Sequence, residues 1–266
     1  RDPKFASGLL VVGKDVPRTD ALPKVTGAAQ YVADIHMPGM LHAAILRSPH
    51  PHARILAIDT NAARKMPGVK AVVTGEDTAK QKWGAFRPDL YPLAIGKVRY
   101  VGDEVAAVAA IDPETARAAV DSIVVQYEVL PGVFSLDEAM APGASLVHDD
   151  TPGNVAHEFA FERGEVDAGF QASAVIVEGT WELQRQWHSS LETIGCVAHW
   201  TGNRVSMWCN TQTAFLARGR YSVALGVPES QVRVIQTEVG GGFGGKSGDD
   251  NGSVIAAILA RKSGKP

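Results

Sequence analysis

The sequence predicts a mixed α+β fold arranged in two regions. A fully apolar run at residues 105–111 is typical of a buried strand. IGCVAHW and RVSMWCN, joined by Thr201-Gly202-Asn203, are typical of a hairpin. A glycine-rich stretch, VGGGFGGKSGDD at residues 239–250, separates a strand pattern from a helix pattern. The 266 residues suit two domains of ordinary size.

The first region covers residues 1–140. Strand patterns begin at Leu41, Val69 and Val105. The third is followed by DPETARAAVDS, in which Asp112 can cap a helix whose first turn holds a proline. IVVQYEVL then alternates as a strand, so we expect a β-α-β unit.

The second region follows a linker. Residues 141–156 collect Pro, Gly and Asp, which is typical of a linker. In the second region, residues 157–266, the first pattern is AVIVEGTWELQ at residues 174–184, and the hairpin follows it. TAFLARGRYSVAL predicts an amphipathic helix that ends at Gly226. The strand VRVIQTEV, the glycine-rich stretch and a helix at residues 253–262 complete the region.

Composition excludes several classes of function. Hydrophobic residues make up 45% of the chain, which is ordinary for a globular protein. A formal charge of −3 argues against nucleic acid or an anionic membrane as the main partner. No apolar run approaches the roughly 20 residues of a membrane span, and no signal pattern is visible. We therefore expect a cytoplasmic protein without a membrane span.

The two cysteines, Cys196 and Cys209, are too few for a four-thiolate iron–sulfur or zinc site. They lie on neighbouring strand patterns, which leaves open a disulfide and a pair of small core side chains. The lack of an export signal favours the second interpretation.

The glycine-rich stretch matches two phosphate-binding patterns. A P-loop would place Lys246 on the phosphates and Ser247 on magnesium, but Asp249 and Asp250 would then face a polyanion at the helix start. A dinucleotide-binding turn would need an acidic residue about 20 positions further on, which is missing. A turn without a ligand is the remaining alternative. Because five glycines in residues 240–245 cost much conformational freedom, we favour a close backbone approach to a ligand, with Phe243 beside it.

These residues resemble a known family. NTQTAFLARGRYSVALGVPESQVRVIQTEVGGGFGGK, residues 210–246, closely resembles the cofactor-binding segment of the molybdenum hydroxylases, the xanthine dehydrogenase and aldehyde oxidoreductase family. DALPKVTGAAQYVADIHMPGMLHAAILRSPHPHARI looks like the start of their hammerhead-like α/β domain, and KVRYVGDEVAAVAA and QWHSSLET also fit. The resemblance implies a hammerhead-like domain over residues 1–140 and the first part of a molybdopterin-binding domain over residues 157–266.

The family resemblance also implies a reaction. The cofactor would be a molybdopterin with molybdenum, in bacterial members often as the cytosine dinucleotide. The enzyme would insert oxygen from water into a C–H bond of an aldehyde or N-heteroaromatic substrate, although a few members run reductively on aromatic thioesters. Electrons would leave through [2Fe-2S] centres and a flavin (FAD) on partner subunits.

The resemblance assigns roles to particular residues. Gln212 matches the glutamine that hydrogen-bonds an oxygen on molybdenum, and Gly241, Gly242, Phe243 and Gly244 match the loop beside the metal and pterin. The alternative for Gln212 is an exposed residue at a helix start.

His188 and Glu192 lie four apart in QWHSSLET. The spacing suits a metal site or an acid–base couple, but two ligands do not make a site. The resemblance implies that the pair supports the pocket, and an ordinary structural hydrogen bond is the alternative. No residue is expected to bind the metal directly.

The resemblance has gaps. The family's catalytic glutamate, and an arginine near its pocket, would fall after Pro266, so we expect no catalytic residue here and a partner that supplies the rest of the molybdenum subunit. Xanthine-type members carry glutamate where Ser247 stands, which weakens a purine substrate. The cysteine loop of CO-oxidising members is also not found. A P-loop enzyme and a non-catalytic module of the same fold remain the alternative functions.

Overall fold

The computed structural model describes residues 11–85, 87–248 and 250–266. The helices in these ranges are α1 (Ala21–Thr26), α2 (Asn61–Lys65), α3 (Pro113–Asp121), α4 (Leu136–Met140), α5 (Val166–Ala172), α6 (Ala214–Leu225) and α7 (Asn251–Ser263). The strands are β1 (His42–Arg47), β2 (Ala53–Asp59), β3 (Val69–Thr74), β4 (Lys97–Val98), β5 (Glu104–Ala110), β6 (Val124–Val129), β7 (Cys196–Thr201), β8 (Arg204–Cys209) and β9 (Val232–Gln236). They form sheets in the orders β1-β5-β3, β4-β2-β6 and β7-β8-β9.

The strand β5 is the centre of the first sheet. All of its residues are buried, because β1 and β3 flank it and α3 packs against it. The prediction of a buried strand is therefore confirmed for residues 105–110, whereas Ile111 lies beyond the strand and is exposed. The Asp112 side chain accepts a hydrogen bond from the N–H of Thr115 at 2.7 Å, so the predicted helix cap is also confirmed.

The expected β-α-β unit is wrong as a unit of one sheet. The strand β5 pairs with β1 and β3, whereas β6 pairs antiparallel with β2 in a different sheet. Both edges of β5 are already occupied, so the strand after α3 has to pair elsewhere. Its alternating, half-exposed pattern suits a sheet with one solvent face.

The stretch predicted as a linker, residues 141–156, lies against the first region. The Nζ of Lys97 donates to the Asp149 carboxylate at 2.8 Å and to the Leu146 carbonyl at 3.0 Å. Lys82 forms an ion pair with Asp150 at 2.7 Å. These contacts fix the course of the stretch, while the boundaries at 140 and 156 stay predictions.

The helix α7 packs against both regions. Ile255 and Leu259 join the core of the β1-β5-β3 sheet, and Val254 joins the core of the β7-β8-β9 sheet. The Nδ2 of Asn251 donates to the buried Glu104 carboxylate on β5 at 3.0 Å. The loop that precedes α7 is therefore held at the junction of the two regions.

The second region contains the predicted hairpin and helix. The strands β7 and β8 pair around Gly202, and α6 ends at Gly226 with a left-handed φ of 64°. Residues 173–195 form neither helix nor strand. Several apolar side chains before β7 are exposed: Phe159, Phe161, Val175, Val177, Trp181, Leu183, Trp187 and Leu191.

Candidate functional site

The glycine-rich loop connects β9 to α7 in a conformation that needs glycine. Gly241, Gly244 and Gly248 have φ values of 94°, 89° and 84°, which side chains strongly disfavour. Phe243 adopts a φ of 50°, which is uncommon for a large residue and marks a tightly constrained turn. The helix α7 then begins with Asp250 as its cap, whose carboxylate accepts from the N–H of Ser253 at 2.7 Å. Asp249 lies outside the described residues.

Three other loop glycines are required by close contacts. A Cβ added at Gly240 would lie 2.5 Å from Cβ of Glu192, and one at Gly242 would lie 2.4 Å from Cδ of Gln212. A Cβ at Gly245 would lie 2.8 Å from the His188 ring. The loop backbone thus packs directly on three side chains that the sequence singled out: His188, Glu192 and Gln212.

The Gln212 side chain is oriented by the loop. Its Oε1 accepts hydrogen bonds from the N–H groups of Gly244, at 3.1 Å, and Lys246, at 3.2 Å. Because a backbone N–H can only donate, these contacts decide which end of the amide is the oxygen. The NH₂ group is left without a partner among the described residues. Gln212 is also exposed, so this donor is accessible.

Further free donors line the loop. Within the described part of the chain, the N–H groups of Gly241, Gly242 and Phe243 make no hydrogen bond. Successive free backbone N–H groups suit oxygen-rich or anionic ligands. Phe243 exposes 74% of its surface, so an exposed aromatic side chain lies next to these donors. The arrangement is able to hold a planar ligand that carries several acceptor oxygens.

Lys246 does not serve a phosphate. Its Nζ lies 2.8 Å from the Glu192 carboxylate, and its side chain is only 3% exposed. Ser247 donates its hydroxyl to the Gly244 carbonyl at 2.7 Å. These contacts leave the P-loop interpretation without support.

The surroundings of Glu192 favour the charged form of its carboxylate. Burial disfavours the charged carboxylate, but hydrogen bonds from Lys246 Nζ and the N–H of Gly240 outweigh this effect. They hold the pKa of Glu192 below its usual value. Since the segment around it is not helical, the four-residue spacing does not pair it with His188. Each of the two side chains contacts the loop separately.

Sequence reasoning missed the contacts that anchor the far end of the loop. The hydroxyl of Thr211 donates to the Lys246 carbonyl at 3.1 Å. The hydroxyl of Thr213 and the guanidinium of Arg220 donate to the Ser247 carbonyl at 2.9 and 2.7 Å. Polar residues beside Gln212 at a helix start were the available signal, because such side chains commonly satisfy neighbouring backbone groups.

The described residues contain no group of three or more His, Cys, Asp or Glu side chains that could hold a metal ion. Cys196 and Cys209 face each other in register on β7 and β8, and both are free thiols with their sulfurs 3.2 Å apart. No helix in the described ranges is long and apolar enough to cross a membrane.

Two family models match the chain. The aldehyde oxidase and xanthine dehydrogenase a/b hammerhead domain matches residues 26–131. The molybdopterin cofactor-binding domain matches residues 147–266.

Curated relatives and a solved structure agree with these matches. A probable xanthine dehydrogenase subunit from Bacillus subtilis is 41% identical over 94% of this chain and 33% of its own length. The nicotinate dehydrogenase large molybdopterin subunit of Eubacterium barkeri is 37% identical over 96% of this chain and 60% of its own length. The crystal structure of quinoline 2-oxidoreductase from Pseudomonas putida 86 superposes with a TM-score of 0.82, at 34% identity, over 95% of this chain and 34% of that chain.

The chain spans between about a third and three fifths of the length of these curated relatives. The hammerhead match, the cofactor-domain match and the fold lead to one conclusion. The chain belongs to the molybdenum hydroxylase family, and its two matched regions are a hammerhead domain and a molybdopterin cofactor-binding domain.

Proposed function

We propose that the chain is the molybdopterin-binding part of an oxidoreductase that hydroxylates an aldehyde or N-heteroaromatic substrate with oxygen from water. The observation that carries this proposal is the fixed orientation of Gln212, whose Oε1 is held by two loop N–H groups while its NH₂ group stays free. Because the chain spans only about a third to three fifths of the length of its curated relatives, the proposed activity is that of a larger assembly.

The residues present fit a molybdopterin. Gly242 packs on Gln212 with no room for a side chain, so the loop backbone and the Gln212 amide lie side by side and both can face one ligand. Gln212 Nε2 and the N–H groups of Gly241, Gly242 and Phe243 would donate to acceptor oxygens of the bound cofactor. The cofactor supplies the two-electron redox chemistry. Because these donors are already in place, they would favour negative charge on the oxygens that they hold.

The partners proposed are the remaining part of the molybdenum subunit, an iron–sulfur subunit with [2Fe-2S] centres, and a flavin subunit with FAD. The exposed apolar residues before β7, which include Trp181, Leu183 and Trp187, support a partner surface at this place. The cytosine dinucleotide form of the cofactor and a cytoplasmic location, in which Cys196 and Cys209 stay reduced, complete the proposal.

The test uses two substitutions of Gln212 in the complete complex, purified from its native host. Gln212→Glu keeps an oxygen that accepts from Gly244 and Lys246 but removes the NH₂ donor. Gln212→Leu removes both functions. Gln126→Glu, on the exposed strand β6, makes the same charge change away from the loop and is the control.

We expect Gln212→Glu to keep molybdenum and pterin near the wild-type content and to lower kcat about 100-fold, as for the loss of one preorganised donor. Gln212→Leu is expected to lose cofactor as well, and Gln126→Glu to change neither quantity. An intact wild-type complex without molybdenum would overturn the proposal in favour of a non-catalytic module. Wild-type kcat in Gln212→Glu would overturn the role of Gln212.

A further inference from the structure

We propose that the Glu192–Lys246 ion pair is a clamp that closes the glycine-rich loop and positions Gln212 for the cofactor. Both are positioning residues that act through the loop and through Gln212. This inference rests on the proposed function, because it names the residues that shape the same site.

One carboxylate oxygen joins the two ends of the loop. Oε2 of Glu192 accepts from the N–H of Gly240 and from the Nζ of Lys246, each at 2.8 Å. The N–H of Glu192 donates in return to the Gly240 carbonyl at 3.1 Å. Gly240 and Lys246 are six residues apart along the chain, so this single oxygen sets the width of the loop between them.

The backbone of Lys246 transmits this constraint to Gln212. The N–H of Gln212 donates to the Lys246 carbonyl at 2.7 Å, and the N–H of Lys246 donates to Oε1 of Gln212 at 3.2 Å. The Lys246 side chain points to Glu192 while its backbone holds Gln212. A displacement of Lys246 therefore displaces the Gln212 amide and turns away its NH₂ donor.

Burial makes the clamp sensitive to the loss of either charge. The side chains of Lys246 and Glu192 are 3% and 17% exposed. Removing one partner leaves an unpaired charge in a largely buried place, whereas removing both charges does not. The double variant thus separates the charge imbalance from the loss of the connection between the loop ends.

The variants are Lys246→Met, Glu192→Gln and the double variant, each in the complete complex. Glu192→Gln is the milder change, since an amide oxygen still accepts from Gly240. The matched control is Lys262→Met on α7, which removes an exposed ion pair to Asp77 at a similar distance of 2.9 Å. Three quantities are measured for each variant: the hydrogen–deuterium exchange of peptides covering residues 240–246, the molybdenum content, and kcat per bound molybdenum.

We expect Lys246→Met to raise exchange about tenfold at the hydrogen-bonded amides of the loop, as for a loop that has lost one or two net hydrogen bonds. These amides are Gly240, Gly244, Gly245 and Lys246. Exchange in β5 is expected to stay unchanged, and kcat per molybdenum to fall about tenfold or more. The double variant is expected to regain thermal stability but not loop protection. Glu192→Gln is expected to lie between wild type and Lys246→Met, and Lys262→Met to match wild type.

The proposed clamp is contradicted if hydrogen–deuterium exchange of the loop in Lys246→Met lies within twofold of that in Lys262→Met. It is also contradicted if exchange rises equally in β5. The second result assigns the pair to overall stability. Recovery of loop protection in the double variant also overturns it. If the wild-type complex holds no molybdenum, the proposed function fails, while the exchange data still decide whether the pair closes the loop.

Discussion

Replacing Gly242 by alanine tests the closest approach in the site. The added Cβ would lie 2.4 Å from Cδ and 2.5 Å from Oε1 of Gln212, distances that no relaxed structure tolerates. The clashing atoms belong to the flexible, exposed side chain of Gln212, so this side chain has to move and its Oε1 leaves the N–H groups of Gly244 and Lys246. Two lost hydrogen bonds at about 1 kcal/mol each predict a loss of roughly 2 kcal/mol in the free energy of unfolding.

The assay is urea denaturation of the purified protein together with molybdenum analysis of its complex. The control is Gly219→Ala in the middle of α6, where the added Cβ meets nothing closer than 4.0 Å. That change is expected to raise the free energy of unfolding by about 0.5–1 kcal/mol, because alanine is the better helix former. A Gly242→Ala protein that matches wild type in stability and in molybdenum content would contradict this prediction.

Two predictions concern buried carboxylates. Burial raises the pKa of Asp103 to about 6, so the folded state holds its proton longer than the unfolded state and stability falls as the pH rises from about 4 to about 6. Asp103→Asn is therefore expected to raise the free energy of unfolding by about 1–3 kcal/mol at pH 8 and hardly at pH 4. The control is Asp15→Asn at an exposed position. An equal gain in stability at both pH values would contradict the prediction. Tyr221→Phe removes the hydroxyl that donates to Asp250 at 2.8 Å in a buried place. It is expected to cost about 1–3 kcal/mol in urea denaturation, and an unchanged midpoint would contradict it.

Local signals predicted much of the fold. The strand β5 follows from an unbroken apolar run, and the start of α3 from Asp112 followed by proline, because burial and capping depend on nearby residues. Strand pairing was not predictable in the same way. The partner of β6 is β2, whose own pattern is broken by a register shift between Ile55 and Ala57. No pattern in the sequence of β6 itself indicates that it pairs with β2 and not with β5.

The same limit applies to the site. Glycine density indicated a close approach, and the structure brings Gln212, His188 and Glu192 to the loop, while their roles toward a cofactor stay proposals. The pairing of Lys246 with Glu192 joins residues 54 positions apart, and no local pattern encodes such a pair. The glycine-rich pattern before Lys246 is therefore compatible with a phosphate ligand, although the structure pairs this lysine with Glu192.

The placement of α7 between two cores has a consequence for how the chain is divided. The two family matches end at residue 131 and begin at residue 147, yet Ile255 and Leu259, from the second match, complete the core of the β1-β5-β3 sheet in the first. A cut between the models would strip the hammerhead sheet of its cover and leave an apolar helix face on the other half. The boundary between the family matches therefore does not separate the hydrophobic cores, because α7 contributes to both of them.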